Sequence, residues 1–104
     1  MPAALRGEVW IVDLGMAAKI RPVLILNIPF SETERALFTI IPHTTAIRGG
    51  RFEVIINVPW LLPGGFDVQG LRQIPRTVLI RKLGVLSQLQ MDEISRAVRL
   101  WLAL

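Results

Sequence analysis

Arg21, Pro22 and the apolar residues after them form the stretch of this sequence best suited to chemistry. Pro22 fixes its own φ angle and biases Arg21 toward an extended conformation. The aliphatic run 23–26 is typical of a strand covered on both faces, so Arg21 is predicted to lie at the entrance of that strand. From there its five N–H donors could reach a phosphate or a carboxylate. A surface arginine in an ion pair is the simpler interpretation, and this stretch alone favours it.

His43 is the single histidine, and histidine is the one side chain whose unperturbed pKa lies near neutral pH. A lone histidine is more often a structural residue than a catalyst. Alternation along a strand would also point His43 and Thr44 to opposite faces of a sheet. We therefore interpret His43 as structural, and a general base is the alternative interpretation.

Several kinds of catalytic site are excluded by the residue types present. With no cysteine, one histidine and isolated carboxylates, the sequence shows no metal-ligand spacing, so no metal and no other cofactor are predicted. It also contains no triad of nucleophile, base and orienting group, and no glycine-rich phosphate loop. Arginines and hydroxyl groups remain. They suit cleavage of RNA by its own 2′-hydroxyl, in which the protein positions the backbone and stabilises charge on the phosphorus oxygens.

The positive charge of the chain is concentrated in its middle third. The net charge is +4, and residues 48–82 contain six cations against two carboxylates, whereas the segments before and after are neutral. Most of the cations are arginine, the residue suited to phosphate forks and to stacking on bases. A polyanion is therefore the predicted partner, with a generic basic surface as the alternative.

Length and composition predict one domain, residues 1–104, that associates with a copy of itself. The chain is 52% hydrophobic, with a mean hydropathy of +0.50, which is apolar for so small a body. Some of this apolar surface should cover an interface, and a homodimer is the simplest symmetric solution. No apolar run approaches ~18 residues and no signal-peptide core is visible. We therefore expect no membrane partner and a cytoplasmic location.

The elements that must position these residues are short strands followed by one helix. Apolar and β-branched runs predict strands at residues 7–14, 22–28, 36–41, 52–58, 66–71 and 77–83. Pro42 and Gly84 are expected to end two of them. The spacing Ser87-x-x-Gln90 predicts a capping box, and an apolar stripe at three- and four-residue steps predicts an amphipathic helix behind it. The predicted fold is mainly β, a small antiparallel barrel with a C-terminal helix.

Several pieces of this sequence, taken in order, resemble one protein family. Residues 6–14 (RGEVWIVDL) and 21–26 (RPVLIL), then 42–45 (PHTT), 51–54 (RFEV) and 81–87 (RKLGVLS), are similar to segments of MazF/PemK-type toxins, which include Kid. The resemblance implies the CcdB/MazF fold, an SH3-like barrel, and a homodimer. It implies metal-independent, sequence-specific cleavage of single-stranded RNA, leaving a 2′,3′-cyclic phosphate and a 5′-hydroxyl. It also implies inhibition by a cognate MazE-like antitoxin of a type II system.

The resemblance also assigns residues. The arginine of the family's Arg-Pro motif falls on Arg21, and its catalytic threonine falls on Thr44. The family's Asp-Gln pair reads Val68-Gln69 here, with Asp67 one residue early, so Gln69 is carried over and the role of Asp67 stays open. The loop before Arg21, residues 15–19, also departs from the family pattern. The predicted RNA contacts are Lys19, Thr45, Arg48, Arg51, Phe52, Gln69 and Arg72.

Two other functions remain open at this point. A CcdB-like protein that poisons DNA gyrase by binding would share the fold, and a non-catalytic RNA-binding barrel would share the charge distribution. The Arg-Pro and Pro-x-Thr-Thr pieces favour the nuclease. Because an arginine, with a pKa above ~12, is a poor general base, we expect Arg21 to stabilise the pentavalent phosphorus. For Phe52, packing in the core is the alternative to stacking on a base.

Overall fold

The structure, a computed structural model, describes residues 4–15 and 19–104 as seven antiparallel strands and one α-helix. The strands are β1 (Glu8–Asp13), β2 (Ile20–Ile25), β3 (Leu37–Thr44), β4 (Glu53–Ile55), β5 (Gly65–Asp67), β6 (Arg72–Pro75) and β7 (Leu79–Val85). Helix α1 spans Gln88–Leu102, and two 3₁₀ turns occupy Val68–Gly70 and Arg76–Val78. No helix in this part of the chain is long and apolar enough to cross a membrane.

The strands are ordered β4-β5-β3-β2-β1-β7, and β6 pairs with β3 beyond the end of β5. The predicted fold class, a mainly β antiparallel fold with a C-terminal helix, is confirmed. Among the described residues β4 and β7 do not pair with each other, so the sheet curves without closing into a complete barrel. Strand β3 lies at the centre of this arrangement, because it pairs with β2 along one edge and with β6 and β5 along the other.

The prediction that Pro42 ends the third strand is wrong, since β3 continues to Thr44. The Leu26 N–H donates to the Thr39 carbonyl oxygen at 2.9 Å, so every second residue from Thr39 directs its backbone groups toward β2. Pro42 therefore directs its nitrogen to the opposite edge. There β3 changes partner, from β6 at Ile40 to β5 at His43. The missing N–H of proline falls where the ladder requires no donor.

Other predicted boundaries also shift for identifiable reasons. Strand β2 begins at Ile20 and ends at Ile25, so Arg21 lies inside the strand, where it pairs with Val12 of β1. Strand β7 runs through Gly84, and the indole of Trp60 packs where a side chain at Gly84 would stand. The predicted strands at 52–58 and 66–71 shrink to the three-residue pair β4 and β5. Strand β6 was not predicted, and of its four residues Ile74 alone is buried.

The apolar core consists of two clusters on the two faces of the central strands. Val9, Leu24 and Ile41 face helix α1, whereas Trp10, Val23 and Ile40 face the opposite side. Because successive side chains of a strand alternate, one continuous apolar run supplies both clusters. The prediction that 23–26 is covered on both faces is confirmed for residues 23–25, which are fully buried.

Helix α1 begins where the sequence predicts. Ser87 Oγ accepts a hydrogen bond from the Gln90 N–H at 3.2 Å, and Gln90 Oε1 accepts one from the Ser87 N–H at 2.8 Å. This reciprocal pair satisfies two donors that the first turn leaves open. Ile94, Ala97 and Val98 are buried against the sheet. The helix thus closes one core cluster and leaves its polar face in solvent.

Candidate active site

Arg21 and Thr44 lie side by side on neighbouring strands. The β2–β3 register pairs Val23 with Pro42, and continuing it by two residues sets Arg21 opposite Thr44. Both residues are half-buried, and both line a cavity of about 440 Å³ at the end of the β2–β3 pair. The arrangement presents a cation and a hydroxyl to one enclosed space.

The remaining wall of this cavity comes from the β3–β4 loop, β4 and the turn after β5. Its other lining residues are Pro42, Ala46, Arg48, Gly50, Phe52, Glu53, Asp67 and Gln69. Five residues assigned from the sequence therefore meet here: Arg21, Thr44, Arg48, Phe52 and Gln69. In the described part of the chain, no group of three or more histidine and carboxylate side chains is arranged to hold a metal ion.

The hydroxyl of Thr44 is oriented by the backbone that follows it. Thr44 Oγ1 accepts a hydrogen bond from the Ala46 N–H at 3.1 Å. Because a hydroxyl has one hydrogen to donate, this contact leaves the Thr44 proton available to a group in the cavity. The chain at Gly64 also passes so close to the Thr44 carbonyl that any side chain there would collide with it.

Glu53 shapes the loop that carries Arg48. Its Oε1 accepts from the backbone N–H groups of Arg48 at 3.0 Å, Gly49 at 2.7 Å and Gly50 at 3.2 Å. The hydrogen bond from the Arg48 N–H and those of the two glycines lower the pKa of the Glu53 carboxyl below its ordinary value. Gly49 takes a positive φ of 81°, which lets the loop curl around the carboxylate. Glu53 thereby holds Arg48 at the rim of the cavity.

Asp67, whose role the sequence left open, contributes its carboxylate to the cavity. It faces Glu53 across the β4–β5 pair, and its Oδ1 accepts from the Gln69 N–H at 3.1 Å. Asp67 thus caps the 3₁₀ turn that presents Gln69 to the same space. The spacing Asp67-x-Gln69 is the sequence signal for this turn, since aspartate commonly binds the backbone two residues on.

A smaller cavity of about 290 Å³ adjoins the first and shares Arg21, Thr44 and Ala46 with it. Thr45, a predicted RNA contact, lines this second cavity. The other lining residues are Ile20, Pro22, His43 and Leu62. Half of its lining residues are apolar, and Arg21 is its one charged side chain among the described residues, whereas the larger cavity also contains Arg48, Glu53 and Asp67.

His43 is directed into the protein, as strand alternation predicts. It is 4% exposed, and its ring packs edge-on against Phe66 with centroids 5.1 Å apart. A Cβ placed on Gly64 would lie 2.9 Å from its Cε1 atom. Its buried Nε2 atom has no hydrogen-bond partner among the described residues, and burial lowers the pKa of the ring. This environment favours a neutral imidazole beneath the site.

Three predicted RNA contacts lie outside both cavities. Lys19 closes a turn through backbone hydrogen bonds and has a φ of 48°. Most of the loop before Lys19 lies outside the described residues. Arg51 stacks over the Phe52 ring at 4.7 Å and faces a groove between β4 and α1. Arg72 is exposed on β6 opposite Ile40. Phe52 itself lines the larger cavity and packs on Trp101 with ring centroids 5.0 Å apart, and its stacking on a base stays a prediction.

An antiparallel sheet with a C-terminal helix, carrying an arginine and a threonine over one polar cavity, defines a class of small β toxins. A family model described as PemK-like, MazF-like toxin of type II toxin-antitoxin systems matches residues 5–102. The chain therefore belongs to the PemK/MazF-like toxin family, and the resemblance identified from the sequence is confirmed.

Solved structures agree with this assignment. An endoribonuclease in complex with its cognate antitoxin, from a mycobacterial species, is 25% identical with a TM-score of 0.84, over 98% of this chain and 97% of that one. The Mycobacterium tuberculosis toxin MazF-mt6 is 28% identical with a TM-score of 0.79, over 93% and 97%. MazF in a MazE–MazF structure from Deinococcus radiodurans is 17% identical with a TM-score of 0.82, over 100% and 99%, which shows the shared fold. A search of curated protein sequences finds no significant match.

Proposed function

We propose that this toxin is a metal-independent endoribonuclease that cleaves single-stranded RNA at specific sequences. The observation that carries the proposal is the convergence of Arg21 and Thr44 on one cavity, in a chain of this toxin family. Similar mycobacterial proteins are described as endoribonucleases, which supports the same activity here. The 2′-hydroxyl of the substrate attacks the adjacent phosphorus. The products are a 2′,3′-cyclic phosphate and a 5′-hydroxyl.

In this mechanism Arg21 and Thr44 act on the phosphate. The planar fork of Arg21 stabilises negative charge on the non-bridging oxygens of the pentavalent phosphorus. The Thr44 hydroxyl, whose oxygen already accepts from Ala46, donates its hydrogen to one of the same oxygens. Both interactions strengthen as charge develops, so they accelerate the reaction more than they tighten substrate binding.

Proton transfer requires a group that accepts the 2′-hydroxyl proton and a group that protonates the 5′-oxygen. Three backbone N–H groups bind Glu53 Oε1 and lower the pKa of this carboxyl, which makes it a weaker base, and the His43 Nε2 atom is buried beneath the strand. Asp67 is the remaining carboxylate of the larger cavity, and we assign it the acceptor role. A water molecule protonates the departing 5′-oxygen.

The protein acts in the cytoplasm, where its RNA substrates are, and a cognate MazE-like antitoxin inhibits it. Structures that pair similar toxins with an antitoxin support this partnership.

The toxin works as a homodimer that covers part of its apolar surface. Ile20, Leu62 and Ile80, each at least half exposed, supply apolar area for that interface. Sedimentation at micromolar concentration is expected to give about twice 11.7 kDa. A monomer whose mass does not change on raising the concentration would contradict the dimer.

The decisive experiment incubates the pure protein with a long RNA in EDTA and maps the products. We expect discrete cuts with 2′,3′-cyclic phosphate ends. Retention of RNA without cuts would support the non-catalytic RNA-binding barrel, and inhibition of gyrase without cuts would support the CcdB-like alternative.

Arg21→Lys tests the assignment of the arginine. The variant keeps the charge and loses the planar fork, so the cleavage rate should fall about 100-fold or more while the thermal midpoint is unchanged. Near-normal cleavage by the folded variant would contradict the role of Arg21.

A further inference from the structure

A second group of arginines lies outside the candidate active site, on the solvent face of helix α1. A cavity of about 410 Å³ is lined by Arg6, Gln88, Asp92, Ser95, Arg96 and Arg99. Five of these residues recur at three- and four-residue steps of the helix, so they share one face of it. None of the six lines either cavity that contains Arg21 and Thr44. We call this group the helix arginine site.

Arg6 is held in place across the gap between the sheet and the helix. Its guanidinium donates to the Leu26 carbonyl oxygen and to Ser95 Oγ, the latter at 3.3 Å. Two of its nitrogens are thereby anchored, one on the chain after β2 and one on the helix. Because a guanidinium carries five N–H donors in a rigid plane, the anchored fork still presents donors toward the cavity. Little side-chain entropy remains to be lost when a ligand binds Arg6.

Arg96 and Arg99 supply two more cations whose side chains make no hydrogen bond or ion pair with any residue that the structure describes. The single carboxylate in the wall, Asp92, accepts from Gln88 Nε2 at 2.9 Å. Three guanidinium groups and one carboxylate leave the cavity with a formal excess of positive charge. A group of this kind is complementary to an anion with several oxygens.

A groove connects the helix arginine site to the candidate active site. It lies between β4 and α1, shares Arg96 with the helix arginine site and shares Glu53 with the larger cavity. Arg51 stands in its wall over the Phe52 ring. Glu53 and Glu93 are the two carboxylates along the groove; both repel an anion, and Arg51 and Arg96 in the same wall offset their charge. Arginines thus recur along the whole path.

We propose that Arg6, Arg96 and Arg99 bind a phosphate group of the RNA backbone, several nucleotides away from the bond that is cleaved. The proposal rests on the proposed function, because it takes RNA as the substrate that occupies the Arg21–Thr44 cavity. A short RNA fills that cavity alone. A longer RNA continues along the β4–α1 groove and gains contacts at the helix arginine site. The site therefore raises affinity for long RNA and leaves the chemical step unchanged.

The test compares Arg99→Ala and Arg96→Ala with the matched control Arg35→Ala. Arg35 is exposed in the connection between β2 and β3 and lines none of these cavities, so the control removes the same charge elsewhere. Alanine favours the helix, so both helix variants should fold, which circular dichroism checks. Binding is measured with 2′-O-methyl RNA of about 30 and about 6 nucleotides, which lacks the attacking hydroxyl and stays intact. The short probe is a segment of the long probe, so the two differ only in length.

We expect each helix variant to bind the long probe about threefold to tenfold more weakly and to bind the short probe like the wild type. For the long probe, the logarithm of the binding constant decreases with the logarithm of salt concentration. This dependence should become shallower by about 0.7 per arginine removed, the value for one single-strand phosphate contact. The control should change neither quantity. Equal binding of the long probe by wild type and both helix variants would overturn the proposal.

Two further measurements distinguish RNA binding from binding of a small phosphate ligand, and failure of this proposal from failure of the proposed function. The wild type is expected to bind the long probe more tightly than the short probe. Added inorganic phosphate should reduce this difference in affinity in the wild type and have less effect on Arg99→Ala. If the variants lose phosphate binding but keep full affinity for the long probe, the site serves a small phosphate ligand, and the RNA proposal is wrong. Absence of cleavage of unmodified RNA by the wild type would refute the proposed function separately, because the binding probes do not depend on cleavage.

Discussion

Glu8 and Thr44 both lie on strands of the central sheet, yet their polar atoms meet different partners. Glu8 is buried, and its carboxylate accepts from the Leu5 N–H at 2.8 Å and from Trp10 Nε1 at 3.0 Å, and pairs with Lys82 Nζ at 2.9 Å. Thr44 is half-buried, and its hydroxyl has one backbone partner and an open cavity in front of it. The polar groups around Glu8 satisfy each other. Those around Thr44 are arranged for a ligand.

This difference predicts which cluster governs stability and which governs activity. A buried carboxylate with all its partners inside the fold contributes to the free energy of unfolding, because removing it leaves buried donors unsatisfied. A hydroxyl that faces a cavity contributes little to the fold and can be removed at small cost. Substitutions in the two clusters should therefore affect different measurements.

Among variants that compare the Glu8 and Thr44 clusters, Thr44→Ala should give the largest effect, a loss of about 100-fold in cleavage rate with the thermal midpoint nearly unchanged. The physical reason is the loss of one donor to the charge that develops on the phosphate. The measurement is the initial rate on one defined RNA oligonucleotide. Thr45→Ala is the comparison variant: Thr45 lines only the smaller cavity and is a predicted RNA contact, so this variant should raise KM and keep most of the rate at saturating RNA. Equal losses in the two variants would remove the distinction between these hydroxyls.

Glu8→Gln should lower the free energy of unfolding by about 1–3 kcal/mol, measured by urea denaturation at pH 7, and leave the cleavage rate of the folded protein unchanged. The amide keeps the shape of the side chain but replaces the acceptor that pairs with Lys82 by a donor. Glu93→Gln is the control, because Glu93 is exposed and has no partner among the described residues, and it should change stability by less than about 0.5 kcal/mol. A neutral Glu8→Gln would show that the cluster does not stabilise the fold.

The same variant should also change how stability depends on pH. Burial alone would raise the pKa of Glu8, but hydrogen bonds from the Leu5 N–H, Lys82 and Trp10, with the charge of Lys82, outweigh it and lower the pKa below 4.5. A lowered pKa means that the unfolded state binds the proton first, so this contribution is present above pH 4.5 and is lost as the pH falls through the folded pKa. The acid-induced loss of stability in this range should be smaller in Glu8→Gln.

His43→Gln should give the smallest effect on cleavage, with most of the activity retained between pH 5.5 and 8.5. The His43 ring is directed toward Phe66. In the proposed mechanism the proton acceptor is Asp67, not His43. Initial rates of wild type and variant across this range provide the measurement. An inactive variant that also lost the acid limb near ~6.5 would make His43 the general base.

Stability offers a second measurement on the same variant. Because burial lowers the pKa of His43 below 6.5, the unfolded state takes up the proton first as the pH falls. Wild-type stability should therefore decrease below pH 6.5, and His43→Gln should lack this part of the decrease. Comparing thermal midpoints at pH 7.5 and 5.5 measures it. Equal shifts in both proteins would mean that the His43 ring is not held neutral.

The sequence by itself determined the fold class, the family and the pair Arg21 and Thr44. Apolar and β-branched runs located six of the seven strands, because these local preferences agree with the fold. The Ser87–Gln90 capping box located the helix start for the same reason. The residue type alone gave a wrong strand end at Pro42. The missing N–H of a proline ends a strand only if the neighbouring strand needs a donor at that position.

Tertiary structure alone decided which charged residues act together. Residues 48–82 carry the excess of cations in the sequence, but of the six only Arg48 lines the larger cavity, while Arg51 and Arg72 lie elsewhere. Arg6 and Arg99 come from segments that are neutral overall and are 93 residues apart, and the fold brings them to one cavity. The physical reason is that strand pairing and helix docking bring distant residues together, and no local pattern in the chain records such a contact.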